Sequence, residues 1–335
     1  MLSNYYPIHV KPTSADRLSR LKQSIINFGQ IYSRSAKRQN QQENSPSHNH
    51  LGRWAEQFNR QLATNNVIIT TNTNEISVQQ FGTLGQIRLY GDLGILQGGD
   101  ISVYFYTDNW RSIDFHQDLK SNTLTCFDDG HDQAWCLSCS QLEPELRSKN
   151  LNLSLPEPQI PIQPSLSAQV EINELRQMWA SLTHVHQFYD MLSLFKLDLL
   201  EAIRLMQNQW THPITSGQLT NFLQQCFEQK LDCKILTGNR GIVHELIAPI
   251  KQLKCTPKAL TISGNNYHCN VNLTSIEQVW LVKRATKYGI VHSLEAFDNH
   301  GRLILQVQEQ KPSEQPESSL WIHCLKRQKI ITANA

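Results

Sequence analysis

Hydrophobic and polar positions change period several times along the chain, and each change marks an expected element. Leu18, Leu21, Ile25 and Phe28 recur at helical spacing and predict a short amphipathic helix over 15–32. From 35 to 50 the chain turns polar and biased, through Arg38-Gln39-Asn40-Gln41-Gln42 and then Pro46-Ser47-His48. Such a composition cannot bury a core, so a mobile segment is expected there, followed by a helix over 51–64. Strand patterns then take over in Val67-Ile68-Ile69, Ile101-Ser102-Val103-Tyr104-Phe105 and Ala134-Trp135-Cys136-Leu137, broken by turns such as Gly98-Gly99. Pro156, Pro158, Pro161 and Pro164 exclude helix over 151–165 and predict an extended connector. Leu175, Met178, Leu182, Val185, Tyr189 and Leu192 restore a three-and-four spacing, which predicts a helix-rich block over 169–229. Strands return from 233 to about 309, and a short element near Leu320–Lys326 closes the chain.

Both halves thus read helices first and strands second, and they share a frame. Trp110 precedes Phe127 by the same 17 residues that separate Trp280 from Phe297. At that offset of 170, Leu124, Phe127 and Asp128 align with Leu294, Phe297 and Asp298, the pattern of an internal duplication. The fold class expected is α+β, a tandem structural repeat in which each half has helices followed by a large antiparallel β-sheet. The N-terminal repeat would span 1–150, with its sheet over 66–145. A Pro-rich linker would cover 151–168, and the C-terminal repeat 169–335, with helices over 169–229 and its sheet over 233–309.

Composition narrows the function. A chain of 335 residues with 39% apolar residues can bury ample core. Thirty-one basic against 29 acidic residues leave a formal charge of +2, which argues against nucleic acid as the main partner. No apolar run approaches the roughly eighteen residues of a membrane span, and Met1–Pro7 lacks a secretory leader pattern, so a cytoplasmic protein with no membrane insertion is expected. Eight cysteines fit a reducing compartment. Cys136 and Cys139 form a lone Cys-x-x-Cys pair inside a strand pattern and read as packing residues, not as a metal or redox site. His244-Glu245-Leu246-Ile247-Ala248 begins like a zincin helix but lacks the second histidine, and its context is strand-like.

The order of motifs in the second half is more specific. Leu182-Thr183-His184-Val185-His186-Gln187-Phe188-Tyr189 is followed by Ala202-Ile203-Arg204-Leu205, Gly238-Asn239-Arg240-Gly241, Trp280-Leu281-Val282-Lys283-Arg284 and Ser293 through Gly301. This series resembles the cytoplasmic haem-utilisation proteins of bacterial haem uptake, the HmuS/HemS-type haemin-degrading or haem-trafficking family. The likeness is strongest over 171–311 and thins in the first half to Asn74-Glu75, Trp110 and Phe127-Asp128. It implies two repeats that each pair helices with a large sheet. It also implies haem as ligand, and a downstream haem oxygenase or a haem importer as partner. Haem would be carried, or its ring opened with oxygen or peroxide and an electron donor to release iron; the residues do not choose between these.

The resemblance places an axial iron ligand at His186. That position lies seven residues after Trp179 and three before Tyr189, at the edge of the apolar stripe, where a neutral imidazole could meet ferric iron. His184 would point about 200° away around a helix. Lys283 and Arg284 occupy the family's basic pair after the tryptophan and would neutralise the propionates, Arg284 first. Arg240 is expected to hold the turn between Gly238 and Gly241. His244 is either a secondary haem contact or a strand histidine facing solvent. Three positions depart from the family: Tyr104 and Leu199 replace expected arginines, and Gln308 an expected aromatic. Tyr104 could still donate to a propionate. The departures support a competing reading, a diverged non-enzymatic repeat protein that keeps the fold, has lost tight haem binding and acts as an interaction module.

Overall fold

The computed structural model describes residues 46–62, 66–90, 93–117, 122–128, 130–139, 151–152, 172–185, 187–312 and 314–331. The helix expected over 15–32, the segment 35–45, most of the proline connector and His186 lie outside the described residues. Helix α1 (Pro46–Leu62) starts five residues before its expected boundary at 51, with proline in the first turn, where its missing N–H costs nothing. Trp54, Phe58 and Leu62 give it one buried stripe. The first-half strands are β1 (Asn66–Asn72), β2 (Ile76–Thr83), β3 (Gly85–Tyr90), β4 (Leu93–Gly98), β5 (Val103–Tyr106), β6 (Trp110–Gln117), β7 (Asn122–Asp128), β8 (Gln133–Cys139) and β9 (Leu151–Asn152).

The second half opens with α2 (Ile172–Ala180), α3 (Gln187–Phe195) and α4 (Leu199–Leu205), then β10 (Thr211–Ile214) and α5 (Ser216–Glu228). Thr215 and Gln218 cap α5 reciprocally, each side chain bonded to the other's backbone N–H. The strands β11 (Asp232–Gly238), β12 (Ile242–Pro249), β13 (Gln252–Cys255), β14 (Ala259–Ser263), β15 (Tyr267–Asn272), β16 (Gln278–Thr286), β17 (Gly289–Phe297) and β18 (Leu303–Glu309) follow, with α6 (Ser319–Arg327) last. All named strand pairs are antiparallel, and the fold is α+β, with two large antiparallel sheets.

Each sheet draws strands from both halves of the sequence. The first runs β13-β14-β15-β2-β1-β8-β7-β6-β9, and the second β10-β16-β17-β18-β11-β12-β5-β4-β3. Strands β1–β8 therefore have the same neighbours as β11–β18, except that β3–β5 and β13–β15 have changed places. The inner faces of the two sheets enclose two cores. One gathers α5 and α6 with β2, β13–β15 and β16–β18; the other gathers α1 with β1, β3–β5 and β6–β8.

The register refines the repeat. The 3-10 turns Thr107–Asn109 and Leu273–Ser275 lie 166 residues apart, and each is closed by the next residue, Trp110 or Ile276. Trp110 is thus equivalent to Ile276, not to Trp280, and the tryptophan match at offset 170 was a coincidence of spacing. After the β6–β7 hairpin the offset does become 170. Phe127 opposes Gln133 as Phe297 opposes Leu303, and Asp128 and Asp298 each accept two backbone N–H bonds in the turn that follows. The four-residue change arises because β16 and β17 pair as far as Thr286–Gly289, whereas β6 and β7 stop at Gln117–Asn122. Arg284 sits in that extension, one residue beyond the level of the last described β6–β7 pair.

The stripe Leu175 to Leu192 does not form one helix. Leu182 and Val185 fall in a break between α2 and α3, where the Gln187 side chain turns back and accepts the N–H groups of Thr183 and His184. A polar side chain that offers the backbone this alternative, next to β-branched Thr183 and Val185, outweighs the apolar period.

Candidate functional site

Helices α2–α4 cover the outer face of the second sheet at its β16–β17 end, where they pack on Trp280, Val282 and Phe297. Alternation along each strand assigns Val282, Arg284, Ser293, Glu295, Gln306, Gln308, Lys234, Leu236, Glu245, Ile247, Tyr104 and Tyr106 to this same face. A polar band thus crosses the sheet from beneath the helices to its centre, which none of the helices α2–α4 is seen to pack on. Arg284 is only 2% exposed. Its Nη1 reaches Glu295 Oε1 at 2.7 Å and donates to Ser293 Oγ at 2.6 Å, while its guanidinium carbon lies 4.3 Å from the centre of the Phe188 ring. Arg284 Nε and Nη2, Glu295 Oε2 and Gln306 Oε1 are buried without hydrogen-bond partners among the described residues. Four such atoms in one patch mark a place where water or a ligand group completes the bonding.

The centre of the face is more open. Lys234 Nζ lies 3.0 Å from Glu245 Oε1, and Ser102 Oγ donates to Glu245 Oε2 at 2.8 Å. Ile247, opposite Lys234, is 39% exposed, Tyr106 on the same face 40%, and Tyr189 of α3 47%. Burial raises the Tyr189 phenol pKa; the charge of Arg284 opposes that shift, and those of Glu295 and Tyr106 add to it. Exposed aromatic and aliphatic groups around a few polar ones are the usual lining of a ligand site.

The expected site residues divide. Arg284 and Tyr104 share this face, and α3 begins at Gln187, the residue after His186 in the chain. His186 itself is outside the described residues. Lys283 points to the opposite face, paired with His292 across β16–β17, so it cannot act beside Arg284 on one ligand. It sits instead near His212, where burial and its charge together lower the imidazole pKa. Tyr104 is half-buried between Ile95 and Val243. Gln308 lies on the site face between Ser293 and Lys234, and Leu199 opens α4.

His244 is neither a solvent-facing histidine nor a surface contact. It is wholly buried between the sheets, with Nδ1 2.9 Å from Gln80 Oε1 and Nε2 3.0 Å from Thr71 Oγ1. Gln80 uses its amide N–H on Glu245 O, so its carbonyl accepts from Nδ1–H and Nε2 accepts from the threonine hydroxyl. The turn Gly238–Gly241 is held by Asn239, whose Oδ1 accepts the N–H groups of Gly241 and Ile242, while Arg240 is exposed. Gly241 is required there because a Cβ would come within 2.9 Å of Ala134 Cβ and 3.3 Å of Trp110. Among the described residues no group of three or more His, Cys, Asp or Glu could hold a metal ion, and no helix is long and apolar enough to cross a membrane. The sequence reading missed Lys234, Glu245, Ser102 and Glu295. Only their polarity at alternate strand positions could have flagged them.

Two sheets related by an internal repeat, with helices over one outer face, define a fold class seen in solved haem proteins. Holo-PhuS, a heme-binding protein from Pseudomonas aeruginosa, superposes with a TM-score of 0.72 at 18% identity, over 88% of this chain and 97% of that one. The heme degrading enzyme ChuS of Escherichia coli O157:H7 superposes with a TM-score of 0.69 at 16% identity, over 89% and 98%. At these identities the likeness is one of fold. Residues 196–327 match the family model described as Haemin-degrading HemS.ChuX domain. Hemin transport protein HemS of Yersinia enterocolitica is 32% identical over 145 residues, 43% of this chain and 41% of that protein, so the match spans less than half its length. Over this stretch the second half resembles the HemS/ChuX haem-utilisation family, as its motif order implied.

Proposed function

We propose that the chain binds haem against the outer face of the second sheet, beside α3, and serves haem utilisation as carrier or as haem-degrading factor. One observation carries this reading. Exposed aromatic and aliphatic side chains, a buried guanidinium and four polar atoms without partners among the described residues share one face, next to the helix that follows His186. A flat macrocycle with acidic edges fits such a surface, and haem here is cargo or substrate. In this reading His186 supplies the iron ligand, Tyr104 and Tyr189 line the site, and Phe188 and Arg284 close its inner end. Some relatives are described as degrading haem and others as transporting it. Ring opening would need distal donors besides the axial ligand, which carriage does not.

A second reading, a retained fold without tight haem binding, has its own support. Two cations on the face, Arg284 and Lys234, already hold a carboxylate, and Lys283 is turned away. Haemin titration of the wild type and of His186→Ala, followed by absorbance, separates the two. A saturable one-to-one Soret shift that collapses or changes coordination in the variant is the expected result. Saturable binding indifferent to the variant moves the ligand elsewhere, and no saturable shift in either protein leaves the second reading.

A further inference from the structure

We propose that Lys234 is the cation that a ligand carboxylate meets on this face, and that Glu245, fixed by Ser102, attenuates its pull. The proposal rests on the haem reading above and names a specificity determinant within it. Four basic residues come into question, and one of them, Arg88, shares the face but stands in the edge strand β3, seven strands from Arg284. Lys283 is on the other face, and Arg284 is sealed beneath Phe188 with its charge spent on Glu295. Lys234 differs from both. Its side chain keeps 28% exposure, it sits on the same face as Arg284 and Tyr104, and it stands three strands from the first and two from the second. At about 4.8 Å between strands and about 3.4 Å per residue along them, the register places it roughly 16 Å from each, between the two.

An ammonium has three donors, and Glu245 Oε1 takes one of them at 3.0 Å. Glu245 cannot swing away to release its partner. Its side chain is 7% exposed, and its other oxygen accepts from Ser102 Oγ at 2.8 Å. A ligand carboxylate that approaches Lys234 therefore meets a cation already half-neutralised, and the Coulomb gain is reduced but not cancelled. Removal of the lysine and removal of the glutamate should then act in opposite directions, and only on ligands that carry a free carboxylate.

The test compares haemin with haemin dimethyl ester, whose propionates are capped, on the full chain. Wild type should bind haemin about five- to tenfold more tightly than the ester. Lys234→Met should bring haemin down to the ester's affinity and leave the ester unchanged. Glu245→Gln, whose oxygen can still accept from Lys234 while its amide donates to Ser102 Oγ, should strengthen haemin binding several-fold and again leave the ester unchanged. Should Lys234→Met fold poorly because Glu245 is stranded, the double variant Lys234→Met/Glu245→Gln removes both charges and should also show no discrimination. Equal effects on the two ligands, no effect on either, or weaker haemin binding in Glu245→Gln would each overturn the proposal. Absence of saturable binding of either ligand to wild type would sink the haem reading itself, and the inference with it.

Discussion

His244 shows what a single residue can conceal. In the sequence it stands in an aborted zinc motif, and in the fold it is a neutral strut between two sheets, bonded through both nitrogens to Gln80 and Thr71. Burial alone holds its pKa down from 6.5 to about 3. In the unfolded chain the imidazole takes its proton first, so its contribution is intact above pH 6.5 and is lost as pH falls towards 3. Between pH 6 and 5, before carboxylates titrate, wild type should lose up to about 1.4 kcal/mol per pH unit more than His244→Gln in urea unfolding. Parallel slopes would mean that the imidazole is hydrated or already charged in the fold. No spacing rule could have revealed this role, because both partners lie more than 160 residues away in sequence.

At the scale of elements, strands were legible and their partners were not. The alternation in β1 and β11 is visible because one face of each is buried, and a period of two survives any choice of neighbour. The Phe-Asp turn was also legible, since a short carboxylate that accepts successive N–H groups is a local device. The tryptophan match failed because the longer β16–β17 hairpin shifts the offset by four residues. That hairpin has a consequence for α3. Its tip bonds the break before the helix through Lys287 N–H to Thr183 O at 3.0 Å, and Arg284 stacks on Phe188 in the helix's first turn. The extension thus holds the chain on both sides of His186. Arg284→Met should cost about 3–5 kcal/mol in urea unfolding, mostly because Glu295 is left buried and unpaired. Arg284→Met/Glu295→Leu should recover most of that loss, since an apolar pair of similar size avoids the desolvation cost. A double variant no better than the single one would show that Phe188 packing, not the stranded charge, sets the penalty.

The whole molecule departs most from a reading by halves. The duplication is real in topology, yet β3–β5 complete the sheet of the second half and β13–β15 that of the first. Hydrophobic period carries no information about such an exchange, because a three-stranded meander looks the same whichever sheet it joins. The physical consequence concerns folding. In a chain cut at the proline connector, β2 would lose β15, β12 would lose β5, and each core would be opened along its length. Leu260, Ile262 and Val271 would leave the cluster they share with Ile76 and Val78, and Ile242 the one it shares with Phe105 and Trp110. At about 25 cal/mol per Å² of apolar surface, the loss of such contacts exceeds the net stability of an ordinary domain. Segments 1–150 and 169–335 produced separately should therefore be unfolded or aggregated, with no cooperative thermal transition. Mixed during refolding, they should recover a one-to-one complex with native circular dichroism. A single segment that melts cooperatively as a monomer would show that its meander can fold back onto its own sheet, and that the exchange is a choice between two closures of similar energy.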